Sequence, residues 1–169
     1  MDAAESMDRL ARPETISLGG GVEALFHLTG ATSGGLVTVV EHPMAPGSLI
    51  EPHTHQREDE YSWILSGRIG MLLGQEEFVA TQGTFVAKPR GVPHAAWNEG
   101  PEPASFLEVV APAGFENFFL EVAEMFSGPA EPPAEDLEVL AQAFGLTFHW
   151  DLVNGLIERH RLSAAVRYD

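Results

Sequence analysis

The chain has 169 residues and no cysteine, which excludes disulfides, thiolate metal ligands and a cysteine nucleophile. Its net charge of −16 sets 25 acidic residues against one lysine, Lys88, and eight arginines, a surface that repels a phosphate backbone and predicts no nucleic-acid partner. No apolar run reaches the roughly 18 residues of a membrane span, and the N-terminus lacks a basic and apolar leader, so no membrane association and a cytoplasmic location are expected.

Residues 1–20 read as a lightly paired lead-in ending in Gly19-Gly20-Gly21. From there to Pro112 the pattern is short β-type runs broken by Gly, Pro and charged turns. Strands are predicted at 22–28, 36–42, 49–55, 60–66, 68–73, 77–80, 84–87, 93–98 and 104–110, a spacing that reads as an all-β sandwich or barrel over 21–112. Ser66-Gly67-Arg68 and Gly74-Gln75-Glu76 read as hairpin turns. Strand 60–66 is apolar on both faces, so one face should line the interior while Trp63, on the other, needs a helix or a second subunit to cover it.

After Pro112 the period changes. Phe115, Phe118, Phe119, Val122 and Phe126 recur at helical spacing, Ser127 to Pro133 interrupts, and helical patterns resume at 134–144 and 150–162. Residues 113–169 are therefore expected as a helical tail packed on the barrel.

The chemistry concentrates in two segments. In Gly47-Ser-Leu-Ile-Glu-Pro-His53-Thr-His55, two histidines at i and i+2 of a strand face one way and can converge on one ion. Glu60 opens the next strand with a carboxylate aimed into the same interior, and six residues separate it from Gly67. His94 follows in Gly83-Thr-Phe-Val-Ala-Lys-Pro89-Arg-Gly91-Val-Pro-His94-Ala-Ala-Trp-Asn98. Asp59 is an alternative to Glu60, less favoured by register; Glu58 and Asp59 read as solvated turn residues. Ser62, Ile64 and Ala96 share parity with Glu60 and His94 and should line the pocket, whereas Glu108 leans toward solvent. His27, His42, His149 and His160 read as ordinary, and Asn98 as structural.

These segments resemble the two motifs of the cupin superfamily, G-x5-H-x-H-x3,4-E-x6-G and G-x5-P-x-G-x2-H-x3-N, with every fixed position filled. The resemblance implies a jelly-roll, or double-stranded β-helix, barrel. It also implies one divalent transition metal ion, among Fe, Mn, Ni, Co, Cu and Zn, held by His53, His55, Glu60 and His94. The single barrel with a helical tail is similar to small bacterial cupins related to quercetin 2,3-dioxygenase. That likeness implies a metal-dependent dioxygenase acting on an aromatic or enolic small molecule, with Glu60 as the group that takes its proton. Two other readings stay open: a non-redox metal enzyme (isomerase, cyclase, lyase or decarboxylase) and a binding protein without turnover. Cupins commonly pair through their sheets, so a homodimer is expected.

Overall fold

The computed structural model describes residues 15–130 and 132–163; the predicted lead-in lies outside the described residues over 1–14, and the tail over 164–169. The alternating runs form strands β1 (Thr15–Gly19), β2 (Val22–Leu28), β3 (Thr38–Met44), β4 (Leu49–His55), β5 (Asp59–Ser66), β6 (Arg68–Leu73), β7 (Glu76–Thr81), β8 (Phe85–Lys88), β9 (His94–Trp97) and β10 (Ala104–Ala111). A one-turn helix α1 (Gly30–Ser33) sits between β2 and β3. The 3.6-residue periods become α2 (Glu116–Met125), α3 (Ala134–Ala143) and α4 (Trp150–His160), with a short strand β11 (Leu146–Phe148) before α4.

Two antiparallel sheets result, ordered β1-β2-β3-β10-β5-β8 and β11-β4-β9-β6-β7. The pairings nest: β3 with β10, β4 with β9, β5 with β8, β6 with β7. The chain thus folds back on itself about the β6–β7 hairpin while alternate pairs fall in opposite sheets, a cupin-like jelly-roll sandwich. The interior below the site is apolar, built from Met44, Ile64, Ile69, Met71 and Phe106. On the outer face of the five-stranded sheet, α4 buries Val153 and Leu156 against Leu49, Leu72 and Trp97.

Several expectations are corrected by this arrangement. Ser66-Gly67-Arg68 is not a hairpin turn, because β5 and β6 lie in different sheets. Gly67 makes the crossing at φ 72°, where a Cβ would stand 2.7 Å from that of Ala104, so the bend requires glycine. The end of the lead-in is paired, as expected, with Thr15–Gly19 against β2, while the tail contributes β11 as well as helices. Trp63 is not covered by the tail helices: it stays 46% exposed beside Phe85 at 57%, on the outer face of the six-stranded sheet.

Candidate metal centre

His53 and His55 stand on β4, and His94 stands on β9 directly opposite His53 in the register. A bulge lies between Ile50 and His53, where β4 uses three steps against two on β9, from Ala96 to His94. The extra residue restores parity, so that Ile50 in the apolar interior and His53 at the site both face inward. Pro52, which has no N–H to give, occupies that break in the ladder. β5 belongs to the opposite sheet and brings Glu60 across the interior. β11 pairs with the outer edge of β4, Leu146 opposite His55 and Phe148 opposite His53, and so holds the ligand strand in place.

One nitrogen or oxygen from each of His53, His55, Glu60 and His94 falls within 4.8 Å of all the others, and all four residues are buried. The second nitrogen of each ring is engaged outward. Nδ1 of His53 and Nδ1 of His94 donate to the carbonyls of Glu51 (2.7 Å) and Val92 (3.0 Å), and Nδ1 of His55 lies 3.3 Å from Glu58 Oε2. A carbonyl can only accept, so His53 and His94 carry their proton on Nδ1 and present bare Nε2 lone pairs inward. Inside, Nε2 of His55 is 3.1 Å from Glu60 Oε1 and Nε2 of His94 is 2.9 Å from Glu60 Oε2. Yet His55 Nε2, His94 Nε2 and Glu60 Oε2 are sealed from solvent and make no hydrogen bond. Three buried polar atoms that converge on one point without a hydrogen bond between them are costly unless something else, such as an ion, satisfies them. The donor set of three imidazoles and one carboxylate suits a divalent transition ion.

Glu58, read from the sequence as a solvated turn residue, is instead buried behind His55, the carboxylate–imidazole support that metal-binding histidines commonly have. Asp59 turns outward to a fork of Arg90, 2.7 and 3.1 Å away, and is not one of the four converging donors. Glu108 is likewise buried rather than solvated. It accepts from Lys88 Nζ at 2.6 Å and from Ser62 Oγ at 3.0 Å, while Lys88 also lies 2.9 Å from Glu60. Burial drives Glu108 up, to about 7, with the Lys88 charge opposing and the Glu60 charge adding to the rise. Burial also works against the Glu60 charge, but Lys88 and His55 outweigh it and hold that carboxyl well below the usual range. For His55, burial is overcome by the nearby charges of Glu60 and Glu58, which lie 3.1 and 3.3 Å from its two ring nitrogens, so its ring is held up at about 9. Lys88 and Glu108 offset one another in charge, which leaves Glu58 and Glu60 as two formal negative charges, a match for a divalent ion.

Above the donors lies a cavity of about 90 Å³. The tail supplies much of its wall: Phe115 meets the ring of His55 edge-on at 4.4 Å between centroids, Phe148 lies 6.3 Å from His53, and Phe118 and Phe119 continue the wall. Of the three residues expected to line the pocket by parity, Ala96 does so; Ile64 belongs to the apolar interior, and Ser62 holds Glu108. His42, read as ordinary, also lines the cavity. Asn98 has the structural role expected of it: its amide bonds the carbonyls of Met44 and Glu102, and its oxygen accepts from Gly100 N.

Residues 40–110 match the family described as cupin domain. The rhicadhesin receptor of Pisum sativum is 31% identical over 117 residues, 64% of this chain and 50% of that protein. The chain spans about half the length of the curated relatives it matches. A predicted oxalate decarboxylase from Thermotoga maritima superposes with a TM-score of 0.55 at 24% identity, covering 60% of this chain and 92% of that one. A sugar phosphate isomerase of the cupin superfamily from Silicibacter pomeroyi gives 0.50 at 26%, covering 56% and 61%. No described helix is long and apolar enough to cross a membrane. Residues 40–110 thus match a cupin domain, and the two nested sheets give the cupin-like sandwich fold that these structures share.

Proposed function

We propose that the chain is a metal-dependent enzyme that acts on an aromatic or enolic small molecule, as a dioxygenase of the quercetinase-like kind. The observation that carries this reading is the meeting of an ion-ready donor set with an aromatic-walled cavity: His53, His55, Glu60 and His94 below, Phe115 and Phe148 above. An ion of Fe, Mn, Ni, Co or Cu held by these four residues would supply Lewis acidity and redox capacity at the cavity floor. The protein's own part is positioning and exclusion. The phenylalanines shed water from the floor and offer a flat apolar wall to a planar substrate. Glu60 is a ligand and the group placed to take the substrate's proton; Lys88 keeps it ionised and lowers its basicity, which restricts it to acidic donors such as an enol.

A non-redox metal enzyme is the second reading, favoured by the likeness to the sugar phosphate isomerase. The charge of the cavity weighs against a phosphorylated substrate. Apart from the metal site, Lys88 is the one lysine or arginine lining it among the described residues, and Glu60 and Glu108 already hold it.

The test is elemental analysis of the purified protein beside a His53→Ala/His55→Ala double variant, followed by oxygen uptake with flavonols and other enols. About one equivalent of a redox-active metal in the parent, lost in the variant, with substrate-dependent oxygen consumption, is the expected result. Zinc with turnover but without oxygen uptake would transfer the assignment to the non-redox reading. A parent that neither carries nor reloads metal would sink both.

We also propose that two copies pair through the outer face of β5 and β8, where Tyr61, Trp63 and Phe85 form an exposed aromatic cluster. Light scattering should then give twice the 18.3 kDa chain mass, and Trp63→Glu should return the monomer.

A further inference from the structure

His42 is a titratable residue that the metal chemistry leaves unused. It stands on β3, 2% exposed, with its ring 5.2 Å from that of Phe106 and 5.3 Å from that of Phe119. Its Nδ1 lies 2.9 Å from the carbonyl oxygen of Glu23. Because the carbonyl has no proton to give, Nδ1 must carry the hydrogen and donate it. Burial between apolar rings then decides the charge: it pushes the imidazolium down to about 4, so the ring is neutral at any physiological pH. A neutral ring protonated on Nδ1 has a bare lone pair on Nε2. That nitrogen makes no hydrogen bond among the described residues, and it is not one of the sealed, unpartnered atoms. The ring lines the cavity, and Nε2 is its one nitrogen left to meet a ligand there. His42 is not one of the four converging donors.

We propose that His42 is the substrate-recognition residue of this cavity, its Nε2 accepting a hydrogen bond from a hydroxyl borne on an aromatic ligand. The tautomer makes the site an acceptor only, so it selects a donor. The apolar rings around it disfavour a charged donor such as an ammonium, which would have to shed its water there. The aromatic wall that runs from Phe119 to Phe115 provides the surface on which the body of such a molecule lies. The ligand class is therefore a hydroxylated aromatic, with its hydroxyl at His42 and its remainder extending toward the four donors. The identification of a substrate rests on the enzymatic reading above; the acceptor itself does not depend on a metal.

The experiment compares phenol and toluene binding to the metal-loaded protein, repeated after chelation, in the parent, His42→Phe and His42→Gln. The expected result is a phenol-to-toluene affinity ratio that survives chelation, falls about five- to tenfold in His42→Phe and is partly restored in His42→Gln, whose amide oxygen can accept. Nitrogen-15 NMR of the parent should show Nδ1 protonated and Nε2 bare, a readout that needs no variant to fold. A ratio unchanged in a folded His42→Phe, a preference that vanishes on chelation, or a protonated Nε2 would each overturn the assignment. Failure of the enzymatic reading would look different: metal content or turnover would be missing while the phenol preference remained.

Discussion

Oε2 of Glu58 lies 3.3 Å from Nδ1 of His55, so a buried carboxylate holds this ring from behind while its Nε2 turns to the other three donors. Such a partner fixes the ring's orientation and raises its basicity toward a metal. Glu58→Gln keeps the shape and removes the charge. Its expected effect is a roughly 10- to 100-fold loss of metal affinity, measured by competition with a chelator of known strength, with the fold retained by circular dichroism.

How much of this was legible in the sequence depends on whether a residue's signal was periodic. His53, His55, Glu60 and His94 could be read because strand parity and fixed spacing place them on one interior face. The helices at 116–125 and 134–143 could be read from their 3.6-residue period. Glu58 sits in a turn, where no period exists to say which way it points. β11 is three residues long, too short to show alternation inside a helical tail, and it became a strand because the free edge of β4 was there to pair with. Glu108 did have a signal: it shares parity with Phe106 and Val110, and Lys88 shares parity with Val86, so both charges point inward where they can meet. A single lysine placed on an inward parity was the clue. The tautomer of His42 was beyond sequence reasoning, since it depends on a carbonyl of a neighbouring strand.

Removing metal should expose the proton that His55 holds. In the metal-free protein its pKa is raised from 6.5 to about 9. That stability is fully present below about pH 6.5, where the unfolded chain is protonated too, and is lost as pH rises through 9. Metal binding must displace the same proton, so apparent affinity should climb by up to about tenfold per pH step between 6.5 and 9. Thermal melts of chelated and loaded protein across this window should diverge with rising pH. Parallel curves would show that His55 is not protonated in the empty site.

Gly70 marks the tightest approach in the five-stranded sheet. It lies opposite Trp97 in the register, and a Cβ there would stand 2.1 Å from the indole Nε1. Trp97 is buried and braced on its other side by His160, 4.5 Å between ring centroids, so it has little room to yield. Gly70→Ala should cost about 1–3 kcal/mol in denaturant unfolding, the usual penalty of overpacking, and leave the metal content at saturation unchanged. A neutral result would mean that α4 shifts to accommodate the methyl.

Lys88 is the counter-charge that makes two buried carboxylates tolerable. Lys88→Met would leave Glu108 without its cation and Glu60 with His55 alone to balance it, and breaking a buried pair of this kind costs about 3–5 kcal/mol. The loss should be smaller at low pH, because Glu108, already held up at about 7, takes a proton most readily. Adding Glu108→Gln should recover much of the stability, since the remaining charge on Glu60 would then be left to His55 and the metal to balance. Equilibrium unfolding of the single and double variants, with and without metal, separates the two terms. If Lys88→Met were harmless without metal, Lys88 would not be the counter-charge that holds the two carboxylates in the empty site.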